Sequence, residues 1–127
     1  MNCNETKFGG AVVLKVAGRV DLSNADEFKD KLTAALGNAP GGSATGGLVV
    51  DLGGVDYISS AGLRSLMIVF KASKAAGKQF AITSLQPLLM EIFTISRFHL
   101  VFPLFDTARA AIEKQVPDAL GEFDSHK

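Results

Sequence analysis

Short apolar runs bounded by turn residues predict the strands of this chain. Five such runs are expected to form strands: residues 4–8, 11–16, 48–50, 79–83 and 101–102. The first two flank Gly9-Gly10 and are interpreted as an antiparallel hairpin. After the third run, Asp51 followed by Gly53-Gly54 is interpreted as turn chemistry that ends the strand. The pattern therefore predicts a sheet that starts with a hairpin.

Between these runs, apolar residues recur at intervals of three and four positions, which is the spacing of one face of an α-helix. Four helices are expected: residues 24–36, a second helix after Ser59 and Ser60 that ends near residues 75–78, a third with Pro87 in its first turn, and a last one that ends near residue 115. The expected N-terminal caps are Ser23 with Asp26, one of the two serines Ser59 and Ser60, Ser84 and Asp106. The third helix is predicted to bury Leu88, Leu89, Ile92, Phe93 and Ile95.

Strands and helices alternate after residue 20, and this order predicts parallel strands joined by helices. We therefore expect an α/β fold: a small mixed β-sheet with an N-terminal antiparallel hairpin and about four helices, mostly on one face. The length of 127 residues is that of one domain, which we place at residues 1–116, with residues 117–127 as a frayed tail. Residues 38–47 are glycine-rich and are interpreted as a surface insertion, because Gly47 stands where a phosphate-binding loop requires lysine.

The charge balance narrows the class of partner. The chain has 13 basic and 13 acidic residues, so no net charge draws it to nucleic acid or to an anionic membrane, and a protein partner fits better. No apolar run reaches the ~20 residues that span a bilayer, and the first residues lack the apolar segment of a signal peptide, so we expect a cytoplasmic protein. Cys3 is the single cysteine, which leaves no intramolecular disulfide and no cysteine-cluster metal site, and no cofactor is expected.

The stretch of residues 48–70 combines a predicted buried strand, a tight loop and an amphipathic helix. The apolar residues on one face of that helix are Leu63, Leu66, Met67 and Phe70. Ser59 and Ser60 precede them at the helix N-terminus, where free N–H groups and the helix dipole accommodate an added phosphate. Gly62 costs a helix interior about 1 kcal/mol relative to alanine, so we expect another backbone or a partner protein to approach it closely.

Two segments resemble the STAS-domain family of bacterial anti-sigma factor antagonists: VDLGGVDYISSAGLRSL at residues 50–66 and GRVDLSNA at residues 18–25. In that family, a serine at the start of the second helix is phosphorylated by an anti-sigma factor that is also a protein kinase. When Gly62 is matched to the family's motif glycine, Ser60 takes the place of the phosphorylated serine. Ser59 then stands where several members carry aspartate, and it is the alternative phosphate acceptor.

The resemblance implies a regulator that switches by phosphorylation. Its unphosphorylated form would bind an anti-sigma factor serine kinase and release a sigma factor or a similar regulator; phosphorylation of Ser60 would turn it off, and a protein phosphatase would restore it. The implied partner-binding residues are Asp21, Ser59, Ser60, Gly62 and Arg64. The alternative is a STAS-like scaffold or ligand-sensing domain that is never phosphorylated, in which Ser60 only caps the helix. The oligomeric state is left open.

The same serines resemble part of a hydrolase nucleophile motif, but the match fails. A nucleophile elbow requires Gly-x-Ser-x-Gly, and Ile58 stands at the first glycine position before Ser60 and Gly62. A Ser-His-Asp system would need His99 or His126, the only histidines, from a predicted turn and from the predicted tail. No second His or Cys stands at metal-ligand spacing from His99. We therefore expect a binding protein and not an enzyme.

Overall fold

One β-sheet of five strands carries the fold in this computed structural model, which describes residues 1–41 and 46–125. The strands are β1 Asn2–Phe8, β2 Ala11–Val20, β3 Gly47–Ile58, β4 Gln79–Thr83 and β5 Leu104–Phe105. The helices in the described ranges are α1 Ala25–Gly37, α2 Ser60–Ala75, α3 Pro87–Ile95, α4 Ala108–Gln115 and α5 Leu120–Ser125, with 3₁₀ turns at Phe98–Leu100 and Pro117–Ala119. Part of the predicted surface insertion, residues 42–45, and the end of the predicted tail, residues 126–127, lie outside those ranges.

The strands lie in the sheet in the order in which they follow along the chain, β1-β2-β3-β4-β5. β1 and β2 pair antiparallel around Gly9-Gly10, and every other neighbouring pair is parallel. Right-handed connections between parallel strands place α1, α2 and α3 on the same face of the sheet. The predicted α/β class, the mixed sheet and the N-terminal hairpin are thus confirmed.

Alternate residues of the strands face two separate hydrophobic cores. Val12 and Leu14 of β2 point into the larger core, which α1, α2 and α3 cover. Phe28 of α1 is fully buried there, and truncating a phenylalanine in such a position to alanine costs about 3–5 kcal/mol. Val13 points the other way, into a smaller core with Ile112 of α4 and the side chains of α5. Three helices therefore lie on one face of the sheet, in agreement with the prediction that most helices share a face. The two C-terminal helices lie on the other face.

The prediction that Gly53-Gly54 ends the third strand is wrong, because β3 continues to Ile58. The pairing of β2 with β3 shifts its register between Lys15 and Ala17, at the level of these glycines. A Cβ atom on Gly54 would lie 2.7 Å from the Cβ atom of Ala17, which is closer than packed carbon atoms come. The glycines therefore let two strands approach each other at a bulge, and the longer β3 carries the chain to the start of α2.

Three predicted helix caps are wrong. α1 begins after Asn24 rather than after Ser23, and Asn24 makes no side-chain hydrogen bond to the helix. Ser84 has a left-handed backbone, with φ 67°, and lies before the start of α3 without capping it. At α4 the cap is Thr107 rather than Asp106, and its hydroxyl accepts a backbone hydrogen bond of 3.1 Å. A side-chain cap requires one residue to have suitable backbone angles, and spacing in the sequence does not determine which residue has them.

The last strand comes later than predicted. Phe102, which the sequence pattern assigns to it, is only 3% exposed and packs against the ring of Phe70 with centroids 5.3 Å apart. Pairing with β4 starts after this aromatic contact, where the carbonyl of Pro103 accepts a hydrogen bond of 3.0 Å from the N–H of Ile82. The core therefore uses Phe102 as a packing residue, and β5 follows it.

α3 buries fewer apolar residues than predicted. Leu89 and Phe93, one turn apart, are fully buried, and Ile92 is half-buried. Leu88 and Ile95 are 53% and 76% exposed. The helix has nine residues and meets the core along a narrow stripe, so part of its apolar surface faces outward. No helix in the described ranges is long and apolar enough to cross a membrane.

Residues 117–125, for which the sequence predicts a frayed tail, form a 3₁₀ turn and α5 that pack on the smaller core. Ala119 is 2% exposed, and the ring of Phe123 meets Phe8 of β1 edge-to-face with centroids 4.9 Å apart. Arg109 of α4 donates two hydrogen bonds, of 3.0 and 3.1 Å, to the carboxylate of Asp124. The packed fold thus extends through α5.

Candidate functional site

The carboxyl ends of β2 and β3 bring the predicted site residues together. The two strands are parallel, and Val20 lies opposite Ile58. The N–H of Ser59 donates a hydrogen bond of 2.9 Å to the carbonyl of Val20. Asp21 and Ser59 directly follow these paired residues, so the loop before α1 and the start of α2 are neighbours.

The two serines at the start of α2 have different environments. Ser59 is the N-cap: it has extended backbone, it is half-buried, and its hydroxyl accepts a hydrogen bond of 3.2 Å from the N–H of Gly62. Ser60 is the first residue of the helix, and its side chain is exposed. Of the two serines predicted as possible caps, Ser59 is therefore the cap, and Ser60 has the exposed side chain.

Gly62, one of the predicted partner-binding residues, is buried. A Cβ atom at this position would lie 2.7 Å from Cγ1 of Ile58 and 2.8 Å from Cγ1 of Val20. The close approach that we expected is real, but the approaching atoms are side chains at the ends of β2 and β3. Gly62 therefore allows the first turn of α2 to rest on these strand ends.

Asp21 organises the loop between β2 and α1. Its carboxylate accepts hydrogen bonds from the N–H and the hydroxyl of Ser23 and from Nε of Arg19, the last at 3.1 Å. The bond from the Ser23 hydroxyl is the largest cause that lowers the pKa of the Asp21 carboxyl below its usual value, and Arg19 adds to it. Asn24 closes the loop, with its side-chain amide bonded to the N–H of Asp21 and to the carbonyl of Arg19. The loop thus presents an ionised carboxylate next to α2 at neutral pH.

A buried serine that the sequence did not single out connects the two halves of the site. The hydroxyl of Ser65 lies 3.1 Å from the carbonyl of Ala25 at the start of α1 and 3.1 Å from the carbonyl of Ala61 in the first turn of α2. Its neighbours Leu63 and Leu66 carry the apolar signal of the helix, and a polar residue between them gives no sign of burial. Ser65 therefore links the start of α1, which follows the Asp21 loop, to the first turn of α2.

Arg64 is exposed and borders two grooves on either side of α2. The groove toward α1 has a volume of about 250 Å³ and is bordered by Leu22 and Ile68, which are 83% and 46% exposed. The groove toward the end of α3, which we call the corner groove, has a volume of about 360 Å³. The residues that line the corner groove are Ser60, Leu63, Arg64, Met67, Ser96 and Phe98. Ser96 and Phe98 are distant from α2 in the sequence, and no local pattern assigns them to this site.

A larger cleft, of about 540 Å³, lies on the opposite face of the sheet, beside the smaller core. Its polar lining includes Lys15, Asp51, Thr107 and Arg109, and none of the predicted site residues contributes to it. In residues 1–41 and 46–125, no group of three or more His, Cys, Asp or Glu side chains is arranged to hold a metal ion. The predicted site residues are thus concentrated at the strand ends on the α1–α2 face.

Comparison with known proteins identifies the family. The STAS-domain family model matches residues 3–111. BtrV of Bordetella bronchiseptica, named as an anti-sigma factor antagonist, is 32% identical over 111 residues, which are 87% of this chain and 91% of BtrV. The fold is similar to the crystal structure of a protein described as an anti-sigma factor antagonist from Thermotoga maritima, with a TM-score of 0.78 and 18% identity over 90% of this chain and 94% of that chain. It is also similar to the anti-sigma factor antagonist SpoIIAA in its unphosphorylated form, with a TM-score of 0.64 and 13% identity over 91% and 98% of the two chains. Because the family model and BtrV both match most of its length, this chain belongs to the STAS-domain family of anti-sigma factor antagonists.

Proposed function

We propose that this protein is an anti-sigma factor antagonist that is switched by phosphorylation. Its unphosphorylated form binds an anti-sigma factor that is also a serine kinase, and the sigma factor or similar regulator held by that kinase is released. The kinase phosphorylates Ser60, which turns the antagonist off, and a protein phosphatase returns it to the binding form. The name of BtrV and the existence of SpoIIAA in a form called unphosphorylated support this proposal.

The observation that carries the proposal is the division of roles between the two serines. The hydroxyl of Ser59 is engaged in the cap of α2, whereas Ser60 is exposed on the first turn of the same helix. A kinase active site needs an accessible hydroxyl, and the helix N-terminus stabilises the phosphate that is added. Asp21, in the neighbouring loop, and Arg64, one turn further along the same helix, supply charges that a partner protein contacts at the same time.

A phosphate on Ser60 is expected to weaken the complex by electrostatic repulsion. A phosphoserine carries about −1.5 to −2 charges at neutral pH. At an effective dielectric constant of about 20, a partner carboxylate at ~5 Å is repelled by about 3 kcal/mol per unit charge before screening by salt. This energy corresponds to roughly a hundredfold loss of affinity, which is sufficient for a switch.

Phosphorylation by the anti-sigma factor kinase of the same organism tests the proposal. Incubation with ATP followed by intact-mass measurement and phosphopeptide mapping is expected to find one phosphate, on Ser60. Ser59→Ala keeps the acceptor and should still be modified, whereas Ser60→Ala should not. Phosphate found chiefly on Ser59 would show that the acceptor has been misassigned. A wild-type protein that neither binds the kinase nor is modified by it would exclude the switch.

A scaffold or ligand-sensing domain is the second candidate function, and the cleft of about 540 Å³ on the opposite face favours it. Lys15, Asp51 and Arg109 give this cleft both signs of charge, which suits a small polar ligand. Under this alternative, Ser60 is never phosphorylated. Intact-mass measurement of the protein recovered from its own cells, with and without phosphatase treatment, distinguishes the two functions.

A further inference from the structure

The corner groove joins the proposed phosphorylation site to the end of α3. One wall is the exposed side of the first two turns of α2, from Ser60 to Met67. The other wall is Phe98, whose ring packs against Phe93 and Phe102 of the larger core with centroids 6.4 and 5.6 Å apart. Because core aromatic rings hold Phe98 in place, the groove is a preformed feature of the surface.

The charge in the lining of the corner groove is positive. Arg64 lines the groove and is exposed, and none of the six lining residues is acidic. Arg97 lies between the lining residues Ser96 and Phe98 and is also exposed. The N-terminal end of α2 adds a partial positive charge at Ser60. The mouth of the groove is therefore complementary to a negatively charged segment of a partner.

Apolar side chains line part of the groove, and other exposed apolar residues lie next to its lining residues in the chain. Met67 and Phe98 are half-buried within it. Ile95 and Leu100, which flank the segment that contains Ser96 and Phe98, are 76% and 72% exposed. Exposed apolar residues beside a concave surface with a polar border are typical of protein-binding sites.

We propose that the corner groove receives an acidic segment of the anti-sigma factor, with one apolar side chain inserted between Met67 and Phe98 and one carboxylate paired with Arg64. This inference rests on the proposed function. Ser60 and Arg64 stand four residues apart on α2, so a phosphate on Ser60 lies within reach of the Arg64 guanidinium. Phosphorylation therefore acts twice: the phosphate repels the carboxylate of the partner, and it occupies the cation with which that carboxylate pairs.

Titration calorimetry against the purified anti-sigma factor kinase, without ATP, tests the shape of the groove. Ser96→Trp fills the groove from an exposed position. Ser125→Trp adds the same ring at an exposed position of α5, on the opposite face of the sheet, and serves as its control. We expect Ser96→Trp to weaken binding by about tenfold or more, and Ser125→Trp to leave the affinity unchanged.

The charge of the groove is tested separately. Arg97 has a left-handed backbone, with φ 62°, and asparagine tolerates this conformation, so Arg97→Asn removes the charge without backbone strain. Lys114→Gln removes a charge from α4 on the opposite face. Arg97→Asn should lower the affinity several-fold at low ionic strength and less at high ionic strength. Lys114→Gln should have no effect at either ionic strength.

The outcomes distinguish this inference from the function on which it rests. If the wild-type protein binds the kinase and is phosphorylated on Ser60, but Ser96→Trp and Arg97→Asn bind equally well, the corner groove is not the docking site and the proposed function stands. If the wild-type protein does neither, both proposals are overturned. In the phosphorylated protein, ³¹P NMR should give a lower phosphoserine pKa for the wild type than for Arg64→Gln, and equal values would exclude the pairing with Arg64.

Discussion

Ser59 and Ser60 are adjacent in the chain, but α2 begins between them and gives each hydroxyl a different task. Ser59 satisfies a helical N–H that would otherwise lack a partner, and Ser60 faces solvent. Gly62, two residues later, has no side chain because the ends of β2 and β3 occupy the space. Three of these four residues therefore have separate roles: Ser59 caps the helix, Ser60 exposes its hydroxyl to solvent, and Gly62 allows close packing on the strand ends.

Alanine substitutions should separate the roles of the two serines. Ser59→Ala removes the cap and is expected to lower the free energy of unfolding by about 1 kcal/mol, while Ser60→Ala changes it by less than about 0.5 kcal/mol. Phosphorylation by the kinase should show the reverse order, with loss only in Ser60→Ala. Thermal melts and phosphate incorporation measure the two effects. Equal destabilisation by both substitutions would contradict the assignment of the cap to Ser59.

Gly62→Ala should destabilise the protein by about 1–3 kcal/mol, because the added methyl group overlaps Ile58 and Val20. Gly37→Ala is the matched control: this glycine is also helical, its added methyl group would meet no packed neighbour within 4 Å, and alanine there should stabilise by about 0.4–1 kcal/mol. Urea denaturation of both variants measures the difference. A Gly62→Ala variant as stable as the wild type, with impaired kinase binding, would instead return Gly62 to the partner surface.

At the scale of elements, α2 is the helix around which both proposed surfaces are arranged. Its buried stripe, which includes Leu66 and Phe70, faces the larger core. Its first turn rests on the ends of β2 and β3, and its exposed residue Arg64 separates the two grooves. Ser65 bonds this turn to the start of α1. The position of α2 therefore determines the geometry of the whole candidate site.

The packing of α5 is tested by two substitutions in the same helix. Phe123→Ala removes the edge-to-face contact with Phe8 and should cost about 2 kcal/mol. Asp124→Ala removes the ion pair with Arg109. The side chains of Asp124 and Arg109 are 45% and 52% exposed, so solvent screens the pair and the substitution should cost less than Phe123→Ala. Chemical denaturation followed by circular dichroism compares the variants. A frayed tail would give no loss of stability in either of them.

At the scale of the molecule, the sheet separates two sets of surfaces. The candidate site and both grooves lie with α1, α2 and the end of α3, whereas the larger polar cleft lies with α4 and α5. A five-stranded sheet with a core on each face stands between them. A charge added at Ser60 is therefore expected to change what binds on one face without disturbing the fold.

Phosphorylation should accordingly leave the fold intact. The dipole of α2 favours a negative charge at its N-terminus by about 0.3–1 kcal/mol, which offsets the cost of ordering the phosphate. We expect the melting temperature of enzymatically phosphorylated protein to stay within about 2 °C of the unmodified protein, while its affinity for the kinase falls by roughly a hundredfold. Calorimetric melts and titrations on the same samples measure both quantities. A large fall in melting temperature would indicate a switch that works by unfolding.

The sequence by itself determined the class of the fold and the place of α2. Apolar periods, strand and helix order, and the glycine and serine pattern of residues 50–66 are local properties, and local properties are sufficient to specify which elements form and in what order. The strand at Gln79–Thr83 has the predicted boundaries, and the start of α2 at the serine pair is predictable for the same reason.

Only the tertiary structure decided which of these residues face solvent and which pack against or hydrogen-bond to one another. Of the two candidate caps Ser59 and Ser60, it is Ser59 that caps α2; Gly62 is buried, and Ser96 forms part of the groove beside α2. Phe102 lies outside the strand predicted for it and packs in the aromatic part of the larger core. In each case the deciding contact is with a residue distant in the sequence or depends on the backbone angles of one residue. Burial and hydrogen bonding each depend on at least two residues, and the local sequence around one residue does not identify the residue that it contacts in the fold.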